Sequence, residues 1–116
     1  MNSRDFDVLK KIVQYCEEII EARVRLGDSY ESLESDALFR NATSMCILQI
    51  GELTTHLSEE FKAEFNEMPW QDIKGMRNVA AHHYGKFDVK KLWETITADV
   101  PELMKYCVEL IKTEIM

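Results

Sequence analysis

Apolar residues in this chain recur at steps of three and four along most of its length, and no stretch sustains alternation at steps of two. That period suits an α-helix and excludes a half-buried strand. Phe6, Leu9, Ile12, Val13, Cys16, Ile19, Ile20 and Val24 mark a first amphipathic helix. Ser3 is placed to cap it and Gly27 to end it in a left-handed conformation. A second helix is expected from Ser35-Asp36 to about Leu57. Its apolar set (Leu38, Phe39, Ala42, Met45, Cys46, Ile47, Leu48, Ile50, Leu53) is wider than one stripe, which predicts contact with a second surface, such as another subunit. A third should start at Pro69 and end near His83, before Gly85. Asp88 caps a fourth carrying Val89, Leu92, Trp93 and Ile96. Pro101 should kink or restart it ahead of Leu103, Tyr106, Cys107, Leu110 and Ile111. The expectation is an all-α bundle of four or five helices, one domain over 1–116.

Gly51 and Gly75 fall inside helical patterns, where glycine costs up to about 1 kcal/mol against alanine. Such positions imply close backbone approach or room for a ligand. Cys16, Cys46 and Cys107 are odd in number, widely spaced and set among apolar residues, so buried, reduced thiols are expected and no metal site. No apolar run approaches the roughly 18 residues of a membrane span. The first residues lack the basic and apolar regions of a signal peptide, which predicts a cytoplasmic protein without membrane association.

A net charge of −7 argues against broad nucleic-acid binding, but its distribution is uneven. Residues 70–91 hold Lys74, Arg77, Lys86, Lys90 and Lys91 against Asp72 and Asp88, a balance of +3, so the remainder carries −10. Inside that stretch lies Arg77-Asn78-Val79-Ala80-Ala81-His82-His83-Tyr84. A guanidinium offers planar donors that match phosphate oxygens, and an imidazole carries protons near neutral pH. On a continuous helix Arg77 and His82 stand about 140° apart, whereas Asn78 and His82 share a face. Asn78 can then orient the imidazole, and Lys74 adds a cation one turn earlier. Ala80 and Ala81 are small, as close approach of RNA or a second subunit requires; good helix propensity accounts for them equally. His83 points away, and His56 is expected at the surface. Trp70 and Trp93 read as core or interface residues.

Arg40-Asn41, Ile50-Gly51-Glu52, Leu57-Ser58-Glu59-Glu60-Phe61, Pro69-Trp70, Ile73-Lys74-Gly75-Met76-Arg77-Asn78 and Leu92-Trp93-Glu94-Thr95 follow in order. With the Arg77 to Tyr84 motif, they resemble the HepT-like branch of the HEPN superfamily, the toxin half of HepT–MntA toxin–antitoxin pairs. The resemblance spans about residues 36–112. It implies a HEPN-type bundle acting as a homodimer, and a metal-independent endoribonuclease without cofactor. Arg77 would stabilise the transition state and His82 would move a proton, supported by Asn78 and Lys74. It implies an RNA substrate, with tRNA a family-level possibility. It also implies a nucleotidyltransferase partner of the MntA kind that attaches AMP to Tyr84. Glu52 and Arg40 match the family pattern and read as an ion pair within the bundle. The principal rival is a non-catalytic HEPN module that docks a nucleotidyltransferase and helps present its substrate. A small acidic adaptor is a third reading, but it leaves the basic stretch unexplained.

Overall fold

The computed structural model describes residues 1–81 and 88–115. Three long rods form the frame. They are α1 (Ser3–Leu26), α3 (Ala37–Thr54), and a continuous rod made of α7 (Val89–Glu94), a π-helical turn over Thr95–Asp99 and α8 (Val100–Ile115). Short helices α2 (Tyr30–Ser35), α4 (Glu59–Glu64), α5 (Trp70–Gly75) and α6 (Arg77–Ala81) join them. The described residues contain no strand, and no helix among them is long and apolar enough to cross a membrane. The all-α expectation holds. The helix count does not, because α2 and α4 carry too few turns to show a period.

Leu9, Ile12, Cys16 and Ile19 of α1 meet Phe39, Ile47 and Ile50 of α3 and Leu103 and Cys107 of α8, all fully buried. Each buried Leu, Ile or Phe contributes about 1.5–3 kcal/mol relative to exposure. The periodic pattern weakens at the end of α1, where Val24 is 76 % exposed. Asn2, rather than Ser3, caps α1: its Oδ1 accepts from the Asp5 N–H at 2.7 Å. Gly27 ends the helix at φ 102°, and a Cβ there would also lie 2.5 Å from Ser32 Oγ. Asp36 caps α3 by accepting from the Leu38 N–H at 2.9 Å. That helix stops three residues before Leu57, where the Thr54 and Thr55 hydroxyls donate to the Gly51 and Glu52 carbonyls.

The rod restarts beside Pro101, with α8 beginning at Val100, one of the two outcomes expected there. The preceding turn widens, with the Val100 N–H bonded to the carbonyl of Thr95. In that register the next donor would belong to Pro101 and the next acceptor is the Ile96 carbonyl. Proline has no N–H to give. Arg23 of α1 fills the gap, its Nη1 donating to the Ile96 carbonyl at 3.3 Å while Nε pairs with Asp28. Its guanidinium also lies over Trp93, which is half-buried.

Two further devices fix the short helices. Phe65, Phe61, Trp70 and Tyr106 form, in that order, a chain of rings with centroids 4.8, 5.5 and 6.1 Å apart. The Phe65 carbonyl accepts from Trp70 Nε1 at 2.9 Å, which seats the start of α5. Asp5, 2 % exposed, accepts from both the backbone N–H and the hydroxyl of Ser58, at 2.8 and 2.6 Å. The Ser58 hydroxyl in turn caps α4 through the Phe61 N–H. The buried carboxylate is thus satisfied, and it locks the start of α1 to the start of α4.

Candidate active site

The expected helix from Pro69 to His83 is broken. α5 ends at Gly75, Met76 turns, and Arg77 opens α6. Ile73, Met76 and Ala80, spaced three and four apart, are buried along one side of the segment, while Arg77 and Asn78 turn outward. Ala80 is therefore small because α6 packs on α3, and the close-approach reading fails for it. The side chain of Ala81 lies outside the described residues.

Arg77 crosses α3 at Gly51. A Cβ at position 51 would lie 2.2 Å from Arg77 Cγ, 3.1 Å from its Cδ and 3.2 Å from the Lys74 carbonyl oxygen. Hydrogen alone leaves space for the arginine stem, so the interior glycine has its reason. At Gly75 a Cβ would meet nothing within 4 Å among the described residues, so none of them crowds it. Beyond Gly51 the guanidinium reaches Glu52, with Nη1 donating to Oε1 at 2.5 Å. Both side chains remain partly in solvent, at 35 % and 52 % exposure. The pair holds Arg77 in place and adds about 1 kcal/mol or less of stability.

Glu52 was expected to pair within the bundle alongside Arg40, and the structure separates the two. Arg40 donates to the backbone carbonyls of Leu33, at 3.0 Å, and Glu34, closing the C-terminal end of α2. The signal that could have named the right partner is Gly51. A glycine needed for close approach puts its neighbour Glu52 beside whatever approaches. Lys74 sits half-buried on α5, and Asn78 is exposed one position after Arg77. His82, His83, Tyr84, Gly85 and Lys86 lie outside the described residues, so the structure does not address the Asn78–His82 pairing or the position of Tyr84. Trp70 is buried in the aromatic chain and His56 is exposed, as expected.

The thiols are not reactive groups. Burial raises Cys16 far above the ordinary range, Cys107 to about 12 and Cys46 to about 11. No group of three His, Cys, Asp or Glu side chains among the described residues is arranged to hold a metal.

The described residues form an all-α bundle that presents an arginine at a helix start, paired with a carboxylate of a neighbouring helix. Residues 9–110 match the family described as Ribonuclease HepT-like, and the chain belongs to that family within the HEPN proteins. It is 36 % identical over 106 residues to a protein of Caldanaerobacter subterraneus named "Putative RNase", covering 91 % of this chain and 93 % of the relative. It is 32 % identical over 95 residues to "Probable ribonuclease HepT" of Thermococcus cleftensis, covering 77 % and 86 %. A "Putative RNase" of Methanocaldococcus jannaschii is 27 % identical over 106 residues, covering 90 % and 95 %. No solved structure matches the chain.

Proposed function

We propose that this chain is a metal-independent endoribonuclease, the toxin of a HepT–MntA-type pair. The observation that carries the reading is Arg77, anchored on Gly51 and Glu52 yet still open to solvent, five residues ahead of His82. The guanidinium has five N–H donors, and Glu52 engages it from one side. In the reaction, the ribose 2′-oxygen attacks the adjacent phosphorus as its proton is removed. The bond to the 5′-oxygen then breaks, and that oxygen receives a proton. His82 serves as the base or the acid, and Arg77 stabilises the charge of the phosphorane-like transition state. Asn78 orients the imidazole and Lys74 adds positive potential.

One chain supplies one motif histidine, and a homodimer supplies the second. Leu38, Ala42, Met45, Gln49 and Glu52 share one face of α3, with Leu38 73 % and Met45 57 % exposed. This apolar face extends into a groove against Tyr15, Ala22 and Leu26 of α1, and it leads directly to the residue that holds Arg77. A second copy packed there would bring two Arg77 side chains towards one cleft. A nucleotidyltransferase partner would silence the enzyme by attaching AMP to Tyr84, placing an anionic phosphodiester in competition for Arg77.

Purified wild-type protein should cleave RNA in the presence of EDTA, and His82→Ala should abolish cleavage and growth arrest without loss of helix content. Cleavage that requires a divalent ion, or full activity in the variant, would overturn the assignment. A protein that never cleaves but binds a nucleotidyltransferase would favour the docking-module reading.

A further inference from the structure

A groove with two cations and one carboxylate in its lining lies beside the first turns of α1, outside the motif. It encloses about 530 Å³ between Arg4, Asp7 and Lys11 of α1 and Leu53 and His56 from α3 and the turn after it. Arg4 and Lys11 are seven residues apart, two turns along one face. Asp7 lies between them, but its carboxylate pairs with Lys10 at 3.3 Å. Among the described residues neither Arg4 nor Lys11 pairs with a carboxylate. Two uncommitted cations and an imidazole therefore converge in a protein of net charge −7. Arg4 also sits in the first turn of a 24-residue helix, where a cation opposes the helix dipole. Asp5, in the same turn, has both carboxylate oxygens committed to Ser58.

We propose that this groove holds a second backbone phosphate of the RNA strand whose scissile phosphate lies at Arg77. The inference rests on the ribonuclease reading. Leu53, which lines the groove, directly follows Glu52, so the groove and the anchor of Arg77 both lie at the last turn of α3. Arg77 with its anchor Glu52, and the groove, thus flank the same helix end. Apart from the His56 imidazole none of the groove's side chains is aromatic, so it offers chiefly a cationic seat for phosphate. The recognition is of single-stranded RNA backbone, independent of sequence.

The test uses the intact protein and a short 2′-O-methyl oligoribonucleotide, which binds but cannot be cleaved. Arg4→Glu with Lys11→Glu should weaken binding by about tenfold or more and lower the salt slope by roughly one unit per lost contact. In cleavage assays the loss should appear in KM with kcat retained. Lys11→Arg should restore binding, and the exposed single variant Lys11→Gln should show a smaller loss should the double variant fold poorly. Unchanged affinity and salt slope in a protein that still cleaves would overturn the groove and leave the ribonuclease reading intact. Intact RNA binding with weakened association to a nucleotidyltransferase would also overturn it, by making the groove a protein-docking site. A wild-type protein that neither binds nor cleaves RNA would remove both.

Discussion

Helices α1 and α6 are held in place by different means. α1 runs for 24 residues, has a side-chain cap at Asn2 and a glycine stop at Gly27, and buries five fully or nearly enclosed apolar side chains from Leu9 to Ile19. α6 has five residues, far below the roughly 12–15 at which an isolated helix becomes marginal in water. It persists through tertiary contact alone: Met76 and Ala80 against the bundle, Arg77 across Gly51 and onto Glu52. The scaffold is redundant, and the site depends on a few contacts. Activity should therefore be easier to destroy at α6 than stability, and the reverse should hold along α1.

The largest effect expected is from Arg77→Ala. Loss of a transition-state charge stabiliser should lower kcat by about 10²–10³-fold. The melting temperature should barely move, because the half-exposed pair with Glu52 adds little stability. A large drop in stability would break the contrast between the two regions.

Ile12→Ala should do the opposite. It removes a fully buried side chain and should cost about 2–5 kcal/mol by denaturant unfolding, while the folded fraction keeps its specific activity. Selective loss of activity would mean that α1 reaches the site through packing.

Gly51→Ala joins the two regions. Its methyl carbon would occupy the arginine stem's position, 2.2 Å from Arg77 Cγ, so the stem must shift. Overpacking should cost about 1–3 kcal/mol, and activity should fall along with it. Gly75→Ala meets open space and should be neutral or slightly stabilising by comparison. Equal outcomes at the two glycines would refute the close-approach explanation.

The last effect concerns pH. Burial raises the Cys107 thiol from 9.0 to about 12, so in the folded protein it keeps its proton where the unfolded chain loses it. The contribution is complete below pH 9 and is lost as pH rises towards 12, since the unfolded state then binds fewer protons. Cys107→Ala should flatten that part of the stability curve, measured against wild type by denaturant midpoint. An unchanged slope would place the thiol closer to water than α8 does.

The sequence by itself determined the all-α class, the long rods α1 and α3, the cap at Asp88, the buried thiols and the family motif. Those features are legible because helical period, capping chemistry and motif spacing are local: each is written within a few turns of one segment. Tertiary structure alone decided the partners. It set Glu52 against Arg77 and moved Arg40 to the end of α2, and it committed Asp5 to Ser58 across 53 positions of chain. It widened the rod before Pro101 and gave the orphaned Ile96 carbonyl to Arg23. It also broke the predicted third helix at Met76, whose N–H bonds to the Ile73 carbonyl three residues back. The physical reason is common to all of these. An interior glycine, a buried carboxylate or a missing N–H announces that a partner is needed, but only the folded chain determines which group lies within reach.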